Sequence, residues 1–380
     1  TADTLGSRST ALGFNTLAAQ NFTTATNGYN VAIGHNAGVS VTTGTNNAII
    51  GSLAAQSLTD ADGNVAIGSL ALSANTVGSS SIAIGYGALA TQNPATATTM
   101  YNTAVGASAG TAVTTGTRNT FVGGLAGDAL TEGTSNIAVG YLALSGDTLG
   151  SRSVAIGDGA LPIQNFTTAT NAYNVAVGMF AGDQISTGTN NTFVGGLAGN
   201  TSTTASNVVI VGYNNETSAV DTAQVIVLGS GVTSQAANNF TFGFGATDSN
   251  IAFGATSISA PSDERYKENI ATSTAGLSFV NDLRPVTFQW KKEKDVPASH
   301  KAYVESSENR VMQSQGETHH GFIAQEVKVA IDNHLELKDG FQMWAEDPTD
   351  GRQRLADGAL IPILVKAIQE LTARIATLEG

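Results

Sequence analysis

The chain of 380 residues contains no cysteine, and its first lysine is Lys267. Disulfides and thiolate metal ligands are therefore excluded, although this leaves the compartment open. Residues 1–261 also lack tryptophan, hold one histidine (His35), and set only 3 arginines against 11 acids. With a net charge of −13 and so few cations in the long first part, nothing can neutralise a row of phosphates, so no nucleic-acid partner is expected. Acidity favours solubility instead. No apolar run reaches membrane-spanning length and no signal peptide is visible, so membrane insertion is not expected. Because the sequence starts at Thr1 rather than Met, any targeting segment is expected upstream of it.

What is present is repetition. A motif close to Asn-Val-Ala-Ile-Gly-x-x-Ala places its glycine at Gly13, Gly34, Gly51, Gly68, Gly85, Gly106, Gly123, Gly140, Gly157, Gly178, Gly195 and Gly212. The steps run 21, 17, 17, 17, repeat once, and continue 21, 17, 17, so four repeats make a block of 72 residues. The longer step is one recurring insertion: QNFTTATNGYN at 20–30, QNPATATTMYN at 92–102 and QNFTTATNAYN at 164–174. After Gly212 the period decays, and NFTFG and NIAFG at 239–243 and 250–254 read as a cap or tapering stem.

Each motif position has a physical role. Apolar residues three and one before the glycine, such as Val31 and Ile33, alternate as in a strand with one buried face. The residue between them is usually Ala, small enough for another backbone or subunit to approach. Ile49, Phe121 and Phe193 replace it every 72 residues, which reads as a contact outside the coil. The Asn four before the glycine can hydrogen-bond along a ladder from coil to coil. The glycine permits a turn other residues resist, and the Ala three later fits a tight inner corner. Seventeen residues allow two short strands and two turns per coil, hence a narrow solenoid or β-roll. Such coils own little core, so several copies packed side by side, a homotrimer, are expected.

The motifs NVAIGHNAG (30–38), NTAVGASAG (102–110) and NVAVGMFAG (174–182) resemble the head repeats of trimeric autotransporter adhesins, which implies a left-handed parallel β-roll in a trimer. Repeats of this kind also occur in bacteriophage tail fibres. The 17- and 21-residue lengths exceed the usual head repeat.

From residue 262 the composition changes abruptly to 19 acids and 14 bases in 119 residues. SDERYKENI at 262–270, LRPVTFQW at 283–290, HGFIAQEV at 320–327 and the C-terminal LIPILVKAIQELTARIATLE at 360–379 resemble the self-cleaving chaperone domain of phage tailspikes and endosialidases, the peptidase S74 family. The resemblance implies an intramolecular chaperone that assembles a homotrimer and then cuts itself away before Ser262, at Pro261-Ser262. On that pattern Ser262 is the nucleophile, Lys267 the base, and Asp263 a supporting residue of the motif. A lysine takes a serine proton only when its pKa is lowered by desolvation or a neighbouring positive charge, and Arg265 is a candidate source of such a charge. Without the flanking motifs, the plainer reading is that Ser262 and Asp263 cap a helix and Lys267 is solvated.

Ile361, Leu364, Ile368, Leu371, Ile375 and Leu378 step by 3 and 4 as a heptad seam. The alternative is one amphipathic helix packed on its own domain. His300, His319, His320 and His334 show no metal-ligand spacing and DADGN at 60–64 lacks a full calcium loop, so no metal or cofactor is expected.

Together these features imply a mainly β protein. Residues 1–215 form a β-roll shaft, read as trimeric, 216–261 a capping or stem region, and 262–380 a small α+β chaperone domain ending in a coiled-coil-like helix. The function expected is that of a phage tail fibre in the virion, attaching to a host-surface glycan or protein receptor and releasing its chaperone by a single Ser/Lys autoproteolysis. A bacterial trimeric surface adhesin is the alternative. A glycan-degrading tailspike comes third, because its chemistry needs two converging carboxylates and residues 1–261 offer only Glu132 and Glu216 plus scattered Asp.

Overall fold

The computed structural model describes residues 3, 5–255, 257–338 and 340–379. It divides into two compact units, Thr1–Ser262 and Asp263–Gly380.

The first unit is a β-solenoid. Each repeat lays down one three-residue strand on the next: Val31–Ile33 pairs in parallel with Ala48–Ile50, which pairs with Val65–Ile67, and so on along a sheet of 15 strands. Equivalent residues stand in register, Ala32 on Ile49 and Ile49 on Ala66. The expected second strand per coil exists only as two-residue pairs flanking the 21-residue repeats, for example Gly78–Ser79 with Thr98–Thr99. Elsewhere the chain turns through left-handed residues such as Leu70 (φ 63°) and Leu72 (φ 52°), which cannot continue a strand.

The motif glycine is dictated by the stacking. Gly123 has φ 136°, and a Cβ placed there would lie 2.4 Å from the carbonyl oxygen of Gly140 in the next coil. Only a column of glycines lets successive turns approach so closely.

The asparagines form the expected ladder and are buried. Asn119 Oδ1 accepts from the backbone N–H of Asn136 at 2.9 Å, while its Nδ2 donates to the carbonyl of Gly133 at 2.9 Å. Asn30, Asn47, Asn64, Asn102, Asn136, Asn174 and Asn191 repeat both bonds. Where a serine stands in the column, the first residue of the insertion replaces the missing carboxamide. Gln92 Nε2 donates to Ser81 Oγ at 3.1 Å and its Oε1 accepts from Asn102 Nδ2 at 2.9 Å; Gln164 bridges Ser153 and Asn174 likewise. The serines at two of the three block starts, Ser81 and Ser153, are thus explained by the glutamine, whereas Gln20 in the first block donates to Asp3.

The two faces of the strands are the reverse of the sequence expectation. From Ala32 onward the middle residues are fully buried inside the coil, and Ile49, Phe121 and Phe193 with them, so their bulk makes no outside contact; only Ala11, in the first strand, is exposed. They fill space that glycines leave open: a Cβ on Gly127 would lie 2.4 Å, and one on Gly110 2.7 Å, from carbons of the Phe121 ring. Where a coil and the next both have only Ala in the strand, Leu stands at the position of Gly127 instead, as Leu72, Leu89, Leu144 and Leu161 do, all fully buried; where the next coil has Ile49, Phe121 or Phe193, that position is Gly38, Gly110 or Gly182. Volume is conserved by exchange between two columns. The flanking residues point outward. Val31, Ile33, Ile50, Ile82, Val122, Ile137, Ile156, Val194, Val209 and Ile226 each keep 36–39 % of their surface open, although neighbouring coils already cover their sides.

The 17-residue step also continues once more than the motif suggested. Val225–Ser230 brings Gly229 onto Gly212, and Asn239–Phe244 follows in parallel. Thr247–Ala252 then returns antiparallel on Asn239–Phe244 and ends the parallel stack.

The second unit is α+β. Helix α1 (Leu277–Asp282), α2 (Ala324–Asn333) and α3 (Ile361–Glu379) surround a core of Phe279, Val327, Ile331, Met343, Leu360 and Ile363. Two motif segments distant in sequence are sheet neighbours, Val286–Phe288 running antiparallel to His319–Gly321, with the His319 ring stacked on Phe288.

Candidate functional site

The expected cut opens a short acidic and basic run whose two apolar side chains, Tyr266 and Ile270, are both exposed. The division between the units falls between Ser262 and Asp263, so each side is described within its own unit. Pro261 and Ser262 are exposed and lie outside any strand or helix at the end of the first unit.

In the second unit Asp263 caps a single 3-10 turn, Glu264–Tyr266, accepting from the backbone N–H of Arg265 at 2.9 Å. The Arg265 guanidinium then forks onto the same carboxylate, Nε at 3.0 Å and Nη2 at 2.6 Å. Hydrogen bonding by Arg265 holds the Asp263 carboxyl below its usual range. Lys267 closes the turn, its backbone N–H donating to the carbonyl of Glu264 at 3.0 Å, and its side chain is exposed.

Asp263, Arg265 and Lys267 therefore share one capped turn. Its geometry reassigns Arg265: the cation expected to act on Lys267 is committed to Asp263. The Asp-x-Arg spacing in SDERYK carries the signal for that pair, since a capped turn brings the two side chains together.

Helix α3 supplies the other part of the site. It packs on its own unit through Ile363 and Ala367, beside the buried Leu360 of the turn that precedes it, and Glu370 Oε2 accepts the backbone N–H of Leu277 at 3.0 Å, capping α1. The heptad residues lie elsewhere on the helix: Ile361, Leu364, Ile368, Leu371, Ile375 and Leu378 are 38–87 % exposed. Packing on the unit thus uses a different set of residues from the seam. Among the described residues no helix is long and apolar enough to cross a membrane, and no group of three or more His, Asp or Glu side chains could hold a metal ion.

Residues 262–336 match the family model of the chaperone of endosialidase, peptidase S74. The match begins at Ser262 and covers the capped turn, both strands of the Val286–Phe288 pair and α2. No curated protein and no solved structure matches the chain. The β-solenoid and the match at residues 262–336 fit a phage tail fibre or tailspike with a C-terminal chaperone domain.

Proposed function

We propose that the chain is the shaft and intramolecular chaperone of a phage tail fibre in the virion, that it assembles as a homotrimer which attaches to the host, and that it is cut once before Ser262. One observation carries the trimer: each unit leaves a continuous apolar surface uncovered, the outer strand residues in one and the heptad seam in the other. Burying apolar surface stabilises by about 25 cal/mol per Å², and a row repeated along the solenoid adds up with every coil. The α3 seams bring three chains together first, and the strand faces then align in register.

In the proposed cleavage, Ser262 Oγ attacks the carbonyl carbon of Pro261 while the Lys267 amine removes the hydroxyl proton. The C–N bond breaks, the nitrogen of Ser262 leaves as an amine with that proton, and Pro261 is held as an ester on Oγ. Water hydrolyses the ester, giving a Pro261 carboxylate and a fragment that begins with Ser262. Asp263 and Arg265 hold the turn that carries Lys267. Since Lys267 is exposed on one chain, the neighbouring copies in the trimer dry it, which ties the cut to completed assembly.

The experiment is intact mass and a denaturing gel on wild type, Ser262→Ala and Lys267→Ala, with light scattering of each. The wild type is expected to give fragments of 261 and 119 residues, and both variants a full-length trimer. Normal cutting in either variant ends the proposed dyad. A monomeric wild type ends the trimer.

A further inference from the structure

Every arginine of residues 1–261 stands in one structural column. Arg8, Arg118 and Arg152 each immediately precede the Asn or Ser that opens a repeat motif, and Tyr29, Tyr101 and Tyr173 occupy the same column in adjoining coils. The Arg8 guanidinium lies 5.6 Å from the ring centroid of Tyr29, with Nη1 donating to its hydroxyl at 2.6 Å. Arg152 lies 5.4 Å from the Tyr173 ring and also donates to its hydroxyl. Arg118 stands one coil beyond Tyr101, its backbone N–H bonded at 2.8 Å to the carbonyl of Met100. All six side chains are exposed.

The backbone argues that these residues are not there for the fold. The column is left-handed, with φ between 48° and 64° at all six positions. Asn46, Gly63, Asn190 and Asn207 occupy it in other coils, as expected where φ is positive. Placing Arg and Tyr there strains the chain without burying anything. The column contains no acid, and Asp62, in the neighbouring column, is held by the Thr45 backbone N–H and hydroxyl.

We propose that this ridge is an attachment site for an anionic polysaccharide. The guanidiniums receive its acidic groups, using donors left over from the tyrosine hydroxyls, and the tyrosine faces bear against its sugar rings. From Arg8 to Tyr173 the ridge runs nine strand steps, roughly 40 Å at the spacing of paired strands, which suits an extended polymer rather than a single sugar. The inference deepens the host-attachment reading and rests on it.

The test immobilises polygalacturonate, dextran sulfate and neutral dextran and measures binding of the full chain by interferometry, beside poly-glutamate as an acidic peptide. Wild type is expected to bind polygalacturonate or dextran sulfate, more weakly as salt rises, and to ignore dextran. The triple variant Arg8→Gln, Arg118→Gln, Arg152→Gln is expected to lose at least tenfold in affinity with its unfolding midpoint unchanged; Arg118→Gln alone, which has no tyrosine hydroxyl bond to lose, loses about threefold. Variants that bind as wild type does, a wild type that ignores both anionic polysaccharides, or one that prefers poly-glutamate would each overturn the ridge. Light scattering on the same samples separates the two readings. A trimer that ignores every polysaccharide removes the ridge alone, and a monomer that binds polygalacturonate removes the trimer alone.

Discussion

The two units use polar chemistry in opposite ways. In the solenoid the polar side chains are inside: Asn47, Asn64, Asn119 and their equivalents are buried and fully hydrogen-bonded. In the C-terminal unit they are outside, as ion pairs such as Arg284 with Glu326 whose side chains are 64 % and 43 % exposed. Stacking explains the contrast. Coils repeat about every 4.8 Å, so a charge in a repeated column faces its own image at a distance where like charges repel strongly. A carboxamide donates and accepts, and bonds to its image. The near absence of charge before residue 262 is therefore a condition of the solenoid, and the abrupt return of charge marks where stacking ends.

The largest effect that would break this comparison is a methyl group in the glycine column. Gly123→Ala must hold φ 136° and place Cβ against the Gly140 carbonyl, which costs roughly 3 kcal/mol or more. Gly358→Ala is the control in the other unit, where nothing lies within 4 Å, and it is expected to change stability by less than about 1 kcal/mol. Both tryptophans, Trp290 and Trp344, lie in the C-terminal unit. Denaturation followed by tryptophan fluorescence therefore reports the C-terminal unit alone, and far-UV dichroism adds the solenoid's transition to it. Equal losses for the two variants would show that the stacking does not set the glycines.

Next in size is the ladder. Asn119→Ala strands the N–H of Asn136 and the carbonyl of Gly133 in the interior, at about 1–3 kcal/mol for each unsatisfied group. Glu326→Gln removes the exposed pair with Arg284 and is expected to cost less than about 1 kcal/mol. A ladder variant as mild as the ion-pair variant would sink the argument that the solenoid is built on its buried amides.

Much of this was legible in the sequence because repetition multiplies weak signals. The glycine column, the asparagine ladder and the inner alanines were read from spacing alone. The strand faces were not, since Val-Ala-Ile alternates whichever side is buried, and hydrophobicity points to the wrong one. The pairing of Phe121 with Gly110 and Gly127 was hidden for a different reason: it links columns, whereas spacing compares positions within one. At the junction, Ser262 and Lys267 are proposed as a dyad on the strength of flanking motifs, while the bond between Asp263 and Arg265 required the turn. The arginine column needed nothing but the repeat register, and went unread because its three members fall in different blocks.

The smallest effects are in pH, and here each unit has one informative group. Asp147 is buried with no cation beside it, its carboxylate accepting from Gly150 N at 2.9 Å and Gln164 Nε2 at 2.6 Å. Burial raises its pKa, against the lowering effect of those bonds. One block earlier Asn75 fills the same place with bonds to both the N–H and the carbonyl of Gly78. In the C-terminal unit His334 is enclosed against Phe279 with Asp282 2.9 Å from Nε2, and that hydrogen bond raises its pKa. Both groups hold a proton more tightly folded than unfolded, so both contribute stability that is present at low pH and lost as pH rises. The windows differ: the solenoid's loss starts near 3.8 and is complete above the raised pKa of Asp147, whereas the C-terminal unit's starts near 6.5 and continues through that of His334. Asp147→Asn, imitating Asn75, is expected to flatten the far-UV profile in acid and raise the midpoint at pH 7, leaving the fluorescence profile alone. Asp282→Asn should flatten the fluorescence profile near neutrality, with the far-UV profile following only through the helices of the C-terminal unit. If Asp147→Asn moved the fluorescence profile as well, the two units would not be unfolding as separate bodies, and the contrast between an amide-built shaft and a charge-dressed domain would have to be redrawn as one cooperative fold.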